Sequence, residues 1–529
     1  MSIEIEKTDL TIETIGGERS TQIIVDGDII VPDTKPDIEK ILNVTSTINI
    51  LEEKISDNRA FFKGEIIYSI IYIGKSENHC IYSMISSIPF EDIISLPETN
   101  KNTTTNLSFV TENINYKIIN DRKINIRCAI TAKAETIFSE NINMIKNIFN
   151  NNNIMIKEKI LKMFKCNERK KDLINISEIL TLPSGKPNIG NIVDCSGYIS
   201  NREFKTSNGK INIKGNLCIS IIYISDTEEN MAETAFFEIP FNINEECKNC
   251  SENMIINSNM DISNINFKTE LDEDGEERKI NIDVPIKIYI CVYENTDIEI
   301  ADDIYSLTEN IIPQKKYIDY PYFLMKNSTK SKFKENIIAE DKYPEMLRVQ
   351  NVYSKIDITD KKILDNKIIA EGVISGNILY TAQSDIEPIC VIPYNIPFSQ
   401  EIETNSPKID NNIYYNINGY IDDISFNMLS ERETEIKITC IFDVTAFKNI
   451  NTNIIIDVTT DTNDTNTETA GIIIYTIQKN DTLWDIAKKY HTTIDNITLI
   501  NDIENIDKLK CGEKILILKK INSYNIINT

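Results

Sequence analysis

GEIIYSIIY, residues 64–72, recurs as GNLCISIIY at 215–223 and as GVISGNILY at 372–380. In each copy Gly and Tyr stand eight positions apart. An Ile-Pro-Phe triplet follows at one fixed interval: Ile88-Pro89-Phe90, Ile239-Pro240-Phe241 and Ile396-Pro397-Phe398. Upstream, Pro36, Pro187 and Pro344 precede their glycines by a common distance. Each of these prolines has apolar residues at +2 and +5: Ile38 and Ile41, Ile189 and Ile192, Met346 and Val349. Landmarks held in register three times mark a triplication, and such a period has to be found before the fold is read.

The Gly-to-Tyr run alternates, yet both of its faces are apolar, which suits a strand covered on both sides. Each copy closes on a further alternating segment. It is Ile124, Ile126, Cys128 and Ile130 in the first, Ile280, Ile282, Val284 and Ile286 in the second, and Ile436, Ile438, Cys440 and Phe442 in the third. The chain is therefore expected to be mainly β, each repeat a sandwich or an open-barrel-like unit. A small helix is expected at the start of each copy. Lys35 to Leu42 reads as one or two helical turns with Pro36 near N1, where its missing N–H costs nothing. The boundaries follow: repeat 1 at 1–140, repeat 2 at 175–300 and a divergent repeat 3 at 340–458. Residues 141–174 read as a connector, apolar and basic without strand alternation and compatible with a helix. Residues 301–339 read as a second connector. Residues 459–470 are polar and read as a flexible tether.

Beyond the tether, residues 471–520 read as a compact module. Ile472 to Ile477 is a strand, and Asn480-Asp481-Thr482 a turn able to cap a helix, with Thr482 and Asp485 at capping-box spacing. The helix carries Leu483, Ile486, Ala487 and Tyr490 on one stripe. A second helix is expected over Ile494 to Ile500, a turn at Leu509 to Gly512, and a returning strand from Lys514 to Leu518. The unit is α+β, in the order strand, helix, helix, strand. Trp484, the one tryptophan of the chain, lies one position off the stripe, with Lys488 and His491 following on its side. Two readings stand. Trp484 caps a core too small to enclose it, or Trp484, Lys488 and neighbouring Ile472 or Ile474 form a docking face for a protein, since partly exposed Trp is enriched at binding hot spots.

The module resembles the LysM domain over its whole length: Tyr475-Thr476, Asn480 to Trp484, Ile486-Ala487, Tyr490, Asn501 and Gly512-x-Lys514-Ile515. Asn480 replaces the usual Gly, and Cys511 the usual Pro or apolar residue. The resemblance implies binding of N-acetylglucosamine glycans through Asn480, Asp481, Thr482 and Leu483 and through the stretch from Asn501 to Cys511, which includes Ile503, Leu509 and Lys510. The repeats, with VPDTKPDIEKIL at 31–42, the Gly-to-Tyr strand and Ile-Pro-Phe, resemble the SPOCS domain of spore coat proteins. The third copy keeps only Pro344 of the Pro-x-x-Lys-Pro form. Three SPOCS-like repeats before one LysM-like module are similar to the clostridial spore coat morphogenetic proteins. That resemblance implies an adaptor in the mother-cell cytoplasm, at the forespore surface and among other coat proteins. Its LysM module would engage the sporulation ATPase of the coat basement layer, peptidoglycan being the alternative ligand.

Composition narrows the field. At 529 residues several domains are required. A formal net charge of −25 argues against nucleic acid or an anionic membrane as the main partner. The first twenty residues carry neither the basic nor the apolar region of a signal peptide, and no apolar run approaches a membrane span. Cys128, Cys218 and Cys440 read as small buried hydrophobes on strands, consistent with a reducing compartment. Only two histidines, His79 and His491, are available for catalysis. Walker A, GxSxG and HExxH patterns are absent from the sequence. Cys247 and Cys250 form a lone CxxC, too little for a zinc site. No enzyme, cofactor or metal is expected.

Overall fold

The computed structural model describes residues 4–56, 58–75, 80–97, 103–149, 153–227, 231–364, 367–384, 387–404, 413–460, 471–503 and 510–518. The first repeat holds β1 (Glu4–Ile30), β2 (Ile38–Ser56), β3 (Arg59–Gly74), β4 (Ile81–Ser95), β5 (Thr103–Asn120) and β6 (Lys123–Phe149). Strands β2, β3 and β4 form one antiparallel sheet and β1, β6 and β5 the other, with β6 central. The repeat is thus a two-sheet sandwich. Its core is built from alternate residues of β6 (Ile124, Ile126, Cys128, Ile130) facing alternate residues of β3 (Phe62, Ile66, Tyr68, Ile70, Tyr72).

The second repeat repeats this with β7 (Ile154–Thr181), β8 (Ile189–Ser207), β9 (Lys210–Ser225), β10 (Ala232–Glu246), β11 (Ile255–Ile262), β12 (Asn266–Leu271) and β13 (Glu277–Ser306). The third does so with β14 (Ile311–Ile338), β15 (Met346–Leu364), β16 (Lys367–Ala382), β17 (Ile389–Glu403), β18 (Ile413–Ser430) and β19 (Glu433–Thr460). In the second copy the β5 position is split into β11 and β12, both paired with β13.

The recurring landmarks are one device seen three times. Gly64, Gly215 and Gly372 stand opposite Phe90, Phe241 and Phe398 in the ladder. A methyl group on each glycine would lie within 3.2 Å of that ring. The Tyr hydroxyls close a loop of 36 residues in each copy. Tyr72 donates to the Pro36 carbonyl at 3.1 Å, Tyr223 to Pro187 at 3.0 Å and Tyr380 to Pro344 at 2.9 Å.

The helix expected at the start of each copy is not formed. The chain makes a tight turn, Lys35 N–H to the Pro32 carbonyl at 2.9 Å, and then enters β2. Two register shifts, at Ile38/Lys40 and Ile41/Asn43, bulge β2. They bring both Ile38 and Ile41 inward, and bulges that break the alternation of a strand imitate helical spacing. The same pair of shifts recurs in β8 and β15.

The connectors are also strands. Residues 141–149 end β6 and residues 154–172 begin β7, while residues 301–306 end β13 and residues 311–338 form β14. Bulges at Glu6/Lys7, Val292/Tyr293, Ala301/Asp303 and Gln314/Lys315 interrupt these ladders and erase the alternation that would have identified them. Each sandwich therefore continues into a two-stranded ribbon, and the ribbons pack on one another. Leu10, Leu161 and Ile318 occupy equivalent places in the three copies. So do Ile12, Met163 and Tyr320, then Met144, Ile300 and Ile454. All meet in one cluster. A second cluster joins the copies through β3, β9 and β16 by the equivalent Ile71, Ile222 and Leu379. Equivalent residues converging twice establish a pseudo-threefold arrangement, a trimer made from one chain. No helix among the described residues is long and apolar enough to cross a membrane.

Candidate functional site

The C-terminal module is built as its sequence implies. Strand β20 (Ile472–Thr476) pairs antiparallel with β21 (Lys514–Leu518), and α1 (Leu483–Lys489) and α2 (Ile494–Asn501) cover one face of the pair. Asn480 takes φ +71°, the left-handed turn conformation that Asn tolerates. Thr482 caps α1 by accepting the Asp485 N–H at 3.1 Å and donating to its carboxylate at 2.6 Å. Leu483, Ile486 and Ala487 are buried, as the stripe requires.

Three polar side chains of the candidate glycan loops, Asp481, Thr482 and Asn501, are hydrogen-bonded inside the module. The Asp481 carboxylate accepts the Tyr475 hydroxyl and the Gln478 N–H, each at 2.7 Å. Those bonds hold its pKa below the usual carboxylate range, the Gln478 N–H foremost. The Asn501 amide donates to Ile497 O and Leu516 O, both at 2.8 Å, and accepts the Leu516 N–H at 2.6 Å. Both of its donors are therefore used, and its role is to latch α2 to β21. Ile503 packs half-buried against the module core. Lys510 and Cys511 are exposed. Leu509 and His79 lie outside the described residues, as do residues 461–470 of the expected tether.

The residues read as one docking face are divided. Ile472 and Ile474, 64% and 67% exposed, stand on the side of β20 turned away from the helices, because successive strand residues alternate. Trp484 and Lys488 face the second repeat instead. The Trp484 indole N–H donates to Asp303 at 2.9 Å, and the Lys488 ammonium reaches both oxygens of that carboxylate at 2.7 Å. The Trp484 ring packs edge-on against Tyr305 at 4.9 Å between centroids. The Tyr305 hydroxyl donates to Thr492 O at 2.8 Å, and His491 Nδ1 donates to Ser306 O at 2.7 Å. Burial raises the Asp303 pKa, but the bonds from Lys488 and Trp484 outweigh it and hold the carboxylate below its usual range. Burial pushes the Tyr305 phenol up to about 12. Sequence reasoning missed Asp303, Tyr305 and Ser306 because residues 301–339 carried no strand pattern. The Asp302-Asp303 pair at a strand end was the available signal.

A cavity of about 2790 Å³ lies between the three repeats and is lined by all of them. Its charges are of both signs, among them Arg169 paired with Glu13 and Lys330 with Asp422. Among the described residues no three His, Cys, Asp or Glu side chains are grouped to hold a metal ion. Cys247 and Cys250 are joined as a disulfide, in a turn hydrogen-bonded to Gly209 of the β8–β9 hairpin. Cys128 and Cys440 are fully buried, while Cys218 is half-buried, 3.4 Å from the Ser200 hydroxyl.

The family model described as the SipL SPOCS domain matches residues 37–119, 188–270 and 345–429. The LysM domain model matches residues 475–518. The chain is a SipL-like protein of three SPOCS domains and a C-terminal LysM domain. Neither a curated protein nor a solved structure matches it. The SPOCS matches begin just before β2, β8 and β15 and end near β5, β12 and β18. The first and last strands, which pair to close each sandwich and form the ribbons, lie outside the matched spans. SPOCS and LysM are non-catalytic domain families, and together they mark a sporulation-related protein with a peptidoglycan-binding-type module.

In this SipL-like chain an arginine that sequence reasoning missed holds the SPOCS signature turn. The Arg122 guanidinium donates to Asp37 at 2.7 Å and to the Val31 and Pro32 carbonyls at 3.1 Å. Arg278 does the same for Pro183, Lys186 and Asn188. Arg432 holds the third, divergent turn more loosely, at 3.5 Å from Glu340 O.

Proposed function

We propose that this protein is a non-enzymatic spore coat scaffold and adaptor whose LysM module docks onto a forespore-coating sporulation ATPase and so localises coat around the forespore. It acts in the mother-cell cytoplasm, at the forespore surface and among other coat proteins. The observation that carries this reading is the outer face of β20 and β21. Ile472, Ile474 and Leu518 stand exposed side by side there, Ile472 opposite Leu518 in the ladder. An apolar strip suits a protein surface, whereas a sugar calls for convergent hydrogen-bonding groups, and the Asp481 and Asn501 side chains are already committed. The three-repeat body supplies a rigid platform, and joining the module to it raises local concentration without new contacts.

Peptidoglycan binding is the second reading, favoured by the left-handed Asn480 turn and the full LysM match. The test compares the full-length chain with its Ile474→Lys variant for binding to the purified ATPase and for co-sedimentation with peptidoglycan. Binding to the ATPase that the variant loses supports the adaptor. Saturable peptidoglycan binding competed by chitin oligomers, with no ATPase binding, replaces it with a wall-binding function.

A further inference from the structure

The end of β13 meets this chain's own LysM module. The bulge at Ala301/Asp303 turns two consecutive carboxylates to different partners. Asp302 pairs with Lys159 at 2.8 Å, within its own repeat. Asp303 meets Trp484 and Lys488 of the module instead, and its side chain keeps only 14% of its exposure. Lys315 of β14 approaches the same carboxylate at 3.7 Å, so a second ribbon backs the site. Tyr305, 3% exposed, lies within the module's core cluster together with Leu483, Ile486 and Ala487. Ser306 O and Thr492 O add one bond in each direction. A bidentate charged pair, an indole N–H on the same carboxylate and an edge-on aromatic contact are groups that bind proteins to proteins. Strand β19 ends at Thr460 and β20 begins at Ile472, so the connection is short enough to keep module and site at high effective concentration.

We infer that Asp303, Tyr305 and Ser306 form a cis-binding site for the Trp484–Lys488 face of the LysM module. The chain thereby occupies that face itself, and a partner reading Trp484 has to displace Asp303. The clamp also sets which surface is presented, leaving Ile472 and Ile474 outward. This goes beyond the adaptor reading and does not depend on it, since it concerns the free protein. Asp303 and Tyr305 act as positioning residues for the module.

The lone tryptophan makes the test direct. Trp484 emission and its quenching by acrylamide are measured in the full-length chain and in Asp303→Lys, Lys488→Glu and Asp302→Lys variants, with no partner present. A red shift and stronger quenching in Asp303→Lys and in Lys488→Glu, one from each side of the contact, are expected, with Asp302→Lys unchanged. Wild-type emission and quenching in both Asp303→Lys and Lys488→Glu would overturn the clamp. So would an equal shift in Asp302→Lys, because the effect would then belong to general disruption of the ribbon. Since no ATPase or glycan enters the measurement, either outcome leaves the docking test separate.

Discussion

The three repeats meet in two places, and the two meetings are built differently. Where the ribbons join, the layers that meet are apolar: Leu10, Leu161 and Ile318 in one, Met144, Ile300 and Ile454 in another. Where β3, β9 and β16 join, a similar apolar layer of Ile71, Ile222 and Leu379 is accompanied by buried polar residues. There the equivalents are Asn43, Asp194 and Asn351, each less than 8% exposed and each bonded differently. Asn377 donates to Asn43 at 3.0 Å, Tyr353 donates to Asp194 at 2.7 Å, and Asn351 donates to Ser196 at 3.4 Å. Interchangeable apolar layers hold three copies together without telling them apart. A polar layer that differs by copy makes each neighbour distinct, which is the best attested use of buried polar groups. Cohesion and order are thus assigned to separate ends of the assembly.

The strongest way to break this comparison is at the ribbon end. Leu161→Ala removes a side chain that is 3% exposed from a layer to which all three copies contribute. A loss of about 2–5 kcal/mol is expected, read as a lower denaturation midpoint of the full chain. Gly185→Ala, with nothing within 4 Å of the added methyl, serves as the unchanged reference. If Leu161→Ala also left the midpoint in place, the ribbons would not be a shared core.

At the polar end the expected effect is smaller and of opposite sign. Burial raises Asp194 to about 6 from its ordinary 3.8, against the lowering influence of the bonds from Tyr353, Ser196 and the Cys195 N–H. The folded state therefore holds its proton more tightly than the unfolded chain does. Stability from this group is full below the unfolded value and is lost as pH rises through the folded one. The shift of roughly two pKa units corresponds to about 3 kcal/mol. Asp194→Asn, which keeps an acceptor for Tyr353, is expected to recover up to about 3 kcal/mol at pH near 8 and nothing at pH near 3.5. Denaturation of both proteins across that range checks it. A variant less stable at both ends of the range would mean that the carboxylate has a partner the structure does not assign to it.

Within a repeat, the glycine opposite Phe sharpens the claim that the copies are one design. A methyl group at Gly372 would stand 2.1 Å from Asp357 O and 2.8 Å from the Phe398 ring. Gly372→Ala is therefore expected to cost about 1–3 kcal/mol through overpacking, seen as a lowered thermal midpoint. Gly64→Ala, 2.6 Å from Asn49 O, should follow in the same direction by a smaller amount. A neutral Gly372→Ala would show that β15 can yield.

These same landmarks explain what could be read from the sequence. Gly and Phe recur because they meet on neighbouring strands, and Tyr and Pro because the hydroxyl bonds the turn, so triplication and β class were both legible. The first strand of each copy and the ribbon extension of the last were not. Leu161 and Ile318 lie in ladders whose bulges disturb the period of two, and a reading by alternation passes over them. The supposed helix at Ile38 and Ile41 failed for the same reason in reverse, because paired bulges gave a strand a helical spacing. In the LysM module, short-range chemistry carried the reading: cap, turn and stripe lie within a few residues of one another. Asp303 lies 181 residues before Trp484, and no local pattern relates the two. Neither reading of Trp484, as a cap on the module's own core or as a docking residue for a protein, included the arrangement found, a Trp placed against another domain of its own chain.

The smallest effect tests the symmetry most directly. Tyr72, Tyr223 and Tyr380 each donate one hydrogen bond to a proline carbonyl 36 residues upstream. Burial pushes Tyr72 and Tyr223 up to about 12, so these phenols remain donors across the physiological range. Phe in place of Tyr keeps the ring and removes the donor, and a neutral hydrogen bond of this kind contributes about 1 kcal/mol. The three single variants should lose similar amounts, measured by chemical denaturation. Because they share no partner, the triple variant should lose their sum, about 3 kcal/mol. A triple loss well above the sum would mean that the turns communicate through the apolar layer of Ile71, Ile222 and Leu379, which lies one residue from each tyrosine. Cohesion and order would then be coupled at that end, and the division between the two ends would hold only for the ribbons.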